Sequence, residues 1–134
     1  MLGRARQTLR VVAAGATADA RHAERTAEIL RRLGADEELV TAGLFHDIAK
    51  PPNTRLWHRV AGVLLARIAP RVRRELAQGD TTFARYLDHA RIGAEEARRQ
   101  GASDRVVFLI AGHHSPPRSD DARLLARADH AALP

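Results

Sequence analysis

Leu44-Phe45-His46-Asp47-Ile48-Ala49-Lys50, followed by Pro51-Pro52, sets an imidazole and a carboxylate side by side at the end of an apolar helical run. Pro51 forbids the helix to continue, so the pair is expected in its last turn. Adjacent helical residues stand about 100° apart. His46 and Asp47 therefore reach one ion from two sides rather than from one stripe, and a metal site is the natural reading.

Ligands of the same kind recur outward from this stretch. His22 lies upstream, His89 and the pair His113-His114 lie downstream, and Asp129 stands near the end. The chain has no cysteine, which excludes disulfides, thiolate metal sites and cysteine nucleophiles. Any metal must be held by nitrogen and oxygen. Imidazole and carboxylate suit Fe, Mn, Co, Ni or Zn, with Mg a further candidate, as one or two divalent ions.

The order His, His-Asp, His, His, Asp resembles the HD-domain superfamily of metal-dependent phosphohydrolases. Lys50 falls where many members carry a lysine, and His89-Ala90-Arg91-Ile92-Gly93-Ala94 is similar to the family's His-x-x-x-Gly-Ala stretch. The resemblance implies a first ion on His22, His46, Asp47 and Asp129. It implies a second on His89 and His113, with Asp47 bridging and His114 assisting. The reaction it implies is in-line attack of a metal-bound hydroxide on a nucleotide, a dinucleoside polyphosphate or another phosphate ester. Asp47 and Lys50 would be catalytic, and Lys50, His114 and Arg118 would touch the substrate phosphate. The motif order is similar to that of binuclear dinucleoside-tetraphosphate hydrolases, but the segment before His89 is longer and His114 is additional. Two alternatives remain open: a di-iron oxygenase on the same fold, and a non-enzymatic module that binds nucleotide or nucleic acid.

The periodicity is helical throughout, aromatic residues make up 4% of the chain, and no segment alternates like a strand. The expected fold is all-α, a compact HD-domain bundle of about six to seven helices, as one domain over 1–134. Helices are expected over 4–14, 18–33 (ended by Gly34), from Asp36 to Pro51, over 53–69, a short basic one closing at Gly79, over 81–100, from Ser103 or Asp104 to the His113-His114 pair, and over 119–131. Leu56, Val60, Val63, Leu64 and Ile68 fall at helical spacing and read as one apolar face. His58 has no place in the metal pattern and reads as structural or exposed. Gly43 is expected to admit the helix that carries His22, and Gly93 to leave room for an ion or substrate.

Of the 22 basic residues only Lys50 is a lysine, and the formal net charge is +6 with a pI near 11.2. Such a balance favours anionic partners. The expected partner is a phosphorylated small molecule, a nucleotide first, with nucleic acid the lesser alternative. No stretch approaches the roughly 20 apolar residues that span a bilayer, so no membrane partner is expected and the location is read as cytoplasmic.

Overall fold

The computed structural model describes residues 17–51 and 53–133, which exclude the helix expected over 4–14. Seven helices and no strand occur among the described residues: α1 (Thr17–Arg32), α2 (Glu37–Phe45), α3 (Leu56–Ile68), α4 (Pro70–Leu76), α5 (Thr82–Arg99), α6 (Asp104–Ala111) and α7 (Asp120–Ala131). The all-α expectation holds.

Local chemistry sets most boundaries. Asp36, Thr81, Ser103 and Ser119 each accept a backbone N–H three residues on, which starts α2, α5, α6 and α7. Gly34 and Gly101 take positive φ of 81° and 86°, the left-handed turn that ends α1 and α5. Pro70 opens α4 at its first turn, where its missing N–H costs nothing.

Leu30, Leu39, Ile110 and Leu125 are the largest fully buried aliphatic side chains, and α1, α2, α5, α6 and α7 supply the whole core cluster. Small residues let these helices approach closely. A Cβ on Gly43 would stand 2.5 Å from Leu30 Cδ1, so α1 and α2 meet at a distance that only glycine permits, as its position in the sequence suggested.

Two expectations about helices need correction. The helix that carries the motif ends at Phe45, not at Pro51. Ile48 N–H bonds to Phe45 O and Lys50 N–H to Asp47 O, so residues 46–49 form a tight turn with three-residue spans. The second correction concerns α3, which starts at Leu56 rather than at 53; its apolar face, given no direction by the sequence, looks outward. Leu56, Val60, Val63, Leu64 and Ile68 are each at least half exposed, while His58 and Gly62 are buried. A Cβ on Gly62 would lie 3.3 Å from both Leu87 Cδ2 and Tyr86 Cε1. The side of α3 that meets α5 thus admits only its smallest residue and His58, whose Nδ1 accepts the Arg55 N–H at 2.7 Å. Apart from half-buried Leu65, the large aliphatic side chains are left on the opposite side.

Candidate metal centre

His46 and His113 are placed by the end of a helix or the turn after it, and His22 and His89 by the interior of one. His46 is the C-cap of α2 and donates from Nδ1 to Gly43 O at 2.7 Å. His113 follows the Gly112 cap of α6 and donates to Ile110 O at 2.6 Å. His89, inside α5, donates to Tyr86 O. In all three the acceptor is the carbonyl three residues back. With a proton fixed on Nδ1, Nε2 is the atom that points inward and offers a metal its lone pair once any proton there has left.

These lone pairs converge on Asp47. Its Oδ1 lies 3.0 Å from His89 Nε2 and 3.3 Å from His113 Nε2, and its Oδ2 lies 3.4 Å from His46 Nε2 and 3.8 Å from His22 Nε2. Asp129 Oδ1, from the last helix, stands 2.6 Å from His22 Nε2 and 3.1 Å from His46 Nε2. Two groups result, each with donor atoms within 4.8 Å of one another: His22, His46, Asp47 and Asp129, and Asp47, His89, His113 and His114. Asp47 belongs to both. They are the two sets implied by the sequence resemblance.

The donor chemistry fits a metal. His89 Nε2 lies 2.7 Å from His114 Nε2 and 3.3 Å from His113 Nε2. The Nδ1 protons of His89 and His113 are already committed to carbonyls, so a cation between the Nε2 atoms relieves the repulsion of their facing lone pairs. His22 differs from the other three, because its buried Nδ1 has no hydrogen-bond partner.

Electrostatics agree. Burial opposes a charge on Asp47, but the His46 charge and the close imidazoles of His113, His46 and His89 hold it well below the usual carboxylate range. Burial likewise opposes protonation of His46. The Asp47 charge and hydrogen bonds to Asp129 and Asp47 outweigh it and raise the imidazole to about 10. Asp129 is held low by His22 and His46 against its own desolvation. His114 is exposed as a residue, yet its ring is packed against His89, His113 and Tyr86. Desolvation, then repulsion by His113 and His89, brings it down to about 2.

Comparison with families of known proteins matches the HD domain over residues 19–132. The chain belongs to the HD-domain family. The match covers all seven candidate ligands, from His22 to Asp129. Comparison with curated proteins found no match, and neither did comparison with solved structures.

Two further residues are placed differently from expectation. Lys50, aimed by the sequence at a phosphate or at the site's carboxylates, is buried and paired with Asp19, its Nζ 2.6 Å from Oδ1. Asp19 lies three residues before His22 on α1, so the pair ties the HD motif to the helix that supplies the first histidine. Nothing in the motif pattern points to Asp19, although its place on the His22 face of α1 does. Gly93 gives no room to an ion: its neighbours are Ile48, Ile110 and Ala49, which a Cβ there would meet at ordinary contact distances of 3.4–3.7 Å. Arg118 is exposed on the connection between α6 and α7.

Proposed function

We propose that this HD domain is a metal-dependent phosphohydrolase that acts on a nucleotide or another phosphate ester with two divalent ions, both of which Asp47 would help to hold. The observation that carries this reading is the position of Asp47, with one oxygen toward His89 and His113 and the other toward His22 and His46. His22, His46 and Asp129 would complete one site, and His89, His113 and His114 the other. When bound, such ions supply Lewis acidity and a water whose pKa is brought toward neutrality.

The chain's own part is to hold and orient. The carbonyls of Gly43, Tyr86 and Ile110 lock three imidazoles with Nε2 inward, which sets ligand direction before any ion arrives. Tyr86, buried against His58 and His89, closes the site from the α5 side. Lys50 with Asp19 acts in this reading as a positioning pair. Arg118, on the exposed connection after α6, would receive the substrate phosphate with the bidentate fork suited to it.

The test is phosphate release from mono-, di- and triphosphates and dinucleoside polyphosphates, by protein loaded in turn with Mn, Fe, Co, Ni and Zn. Turnover with at least one metal, reduced to background by Asp47→Asn, is expected. Metal-loaded protein inert on the whole panel, or turnover that survives Asp47→Asn, contradicts the proposal.

A further inference from the structure

The outward face of α3 has no partner among the described residues. Leu56, Val60, Val63, Leu64 and Ile68 are 50–76% exposed, and Trp57 at their edge is 55% exposed, with its ring packed on His58 and Phe83. At 100° per residue they fill an arc of about 140° on the side opposite His58 and Gly62. The stripe continues onto α4 through Val72 and Leu76, which are also exposed. Between residues 55 and 76 the sequence supplies six arginines against a single acid, Glu75. Arg55, Arg67, Arg71 and Arg74 among them are exposed.

We propose that α3 and α4 lay this face on the surface of an anionic lipid bilayer, with the aliphatic side chains and Trp57 entering the headgroup region and the arginines meeting lipid phosphates. Exposed Leu, Ile, Val and Trp, with Arg67 among them and further guanidinium groups beside them, are the composition of a helix that lies in the interface plane. Charge separates this occupant from a second copy of the chain. An isologous contact sets six arginines against six, with one glutamate on each side to answer them. Shape separates it from a peptide partner. A helix-in-groove contact needs two walls, and the stripe is the crest of a helix whose other side is seated on α5. Lying on a bilayer differs from crossing it: no helix among the described residues is long and apolar enough to cross, and α3 has 13 residues.

Trp57 is the chain's only tryptophan and reports directly on the face. The full chain is titrated with phosphatidylcholine vesicles, with and without one quarter phosphatidylglycerol, and followed by Trp57 emission and vesicle flotation. A blue shift and flotation with the anionic vesicles alone, reversed by high salt, are expected. Arg67→Glu with Arg71→Glu, and separately Leu64→Glu with Ile68→Glu, should each weaken partitioning tenfold or more. These side chains are exposed, so circular dichroism should confirm unchanged helicity. Absence of flotation, or charge-reversed protein that partitions like wild type, overturns the proposal. So does a concentration-dependent doubling of mass that buries Trp57 without lipid, which assigns the face to a dimer, or a blue shift with an acidic helical peptide but none with vesicles.

Discussion

Gly43→Ala puts the packing that builds the site to a quantitative test. Gly43 lies inside α2, where alanine is favoured over glycine by about 1 kcal/mol on helix propensity alone. Opposing this, the new Cβ would stand 2.5 Å from Leu30 Cδ1 and 3.4 Å from Thr26 Cγ2. Leu30 is fully buried, so its methyl can withdraw only by displacing the core between α1 and α2. Overpacking of this kind costs about 1–3 kcal/mol. The net expectation is a loss of about 1 kcal/mol, seen as a fall of about 3–5 °C in thermal midpoint for a chain of this size. Metal affinity should fall as well, because Gly43 O holds His46 Nδ1 and His22 lies one turn from Thr26 on the displaced helix. Thermal unfolding of the metal-free protein by circular dichroism measures the first effect and metal titration the second. Leu30→Ala, itself costing about 2–5 kcal/mol, removes the clashing methyl. In that background Gly43→Ala should become neutral or stabilising, and the coupling identifies the contact. A rise in midpoint for Gly43→Ala alone would refute the close approach as the reason for glycine.

Other consequences are as specific. A Cβ on Gly93 would meet Ile48 and Ile110 at ordinary contact distances, so Gly93→Ala should leave stability within about 1 kcal/mol and metal content unchanged; loss of metal would return the ion to that face. In the metal-free protein His46 is raised to about 10 from 6.5, so its contribution is fully present below 6.5 and lost as pH rises toward 10. Asp47 and Asp129 are lowered from 3.8, so theirs is present above 3.8 and lost on acidification. The site's contribution, read as wild type minus a His46→Gln variant in urea unfolding, should therefore be greatest between 3.8 and 6.5; an increase from 6.5 to 10 would contradict the charge assignment. Metal loading must displace the His46 proton, so calorimetry in buffers of different ionisation enthalpy should show proton release on binding at neutral pH. Lys50 is more deeply buried than Asp19, with side chains 5% and 21% exposed. Asp19→Ala, which strands the ammonium, should then destabilise more than Lys50→Met, by about 1–2 kcal/mol in denaturant titration; equal costs would deny the asymmetry.

The candidate ligands were legible in the sequence because His and Asp are few in kind and their order was distinctive. Helix starts were legible at Asp36, Thr81, Ser103 and Ser119 because a short polar side chain before an apolar run has one cheap use. Orientation was not. The spacing of Leu56, Val60, Val63, Leu64 and Ile68 establishes one face of a helix, but periodicity does not say whether that face looks inward. What decided it was the fit of Gly62 against Tyr86 and Leu87, a contact between residues 24 or more positions apart. Gly93 misled for a related reason: a glycine beside a histidine can serve a ligand or a neighbouring side chain, and only the fold brought Ile48 there. The end of α2 was placed too late because Pro51 bars continuation, while the hydrogen bond from His46 to Gly43 O and the tight turn through Lys50 had already closed the helix at Phe45. The Asp19 partner of Lys50 was hidden by separation in sequence, since their pairing depends on how α1 passes the turn.

The most direct measurement is the metal content of purified, reconstituted protein by elemental analysis, on wild type, His89→Ala, His22→Ala and Asp47→Asn. Two equivalents in wild type, about one in each histidine variant and less than one in Asp47→Asn are expected, because Asp47 serves both groups. One equivalent in wild type that His89→Ala leaves intact, or Asp47→Asn that still holds two, would contradict the shared-carboxylate centre.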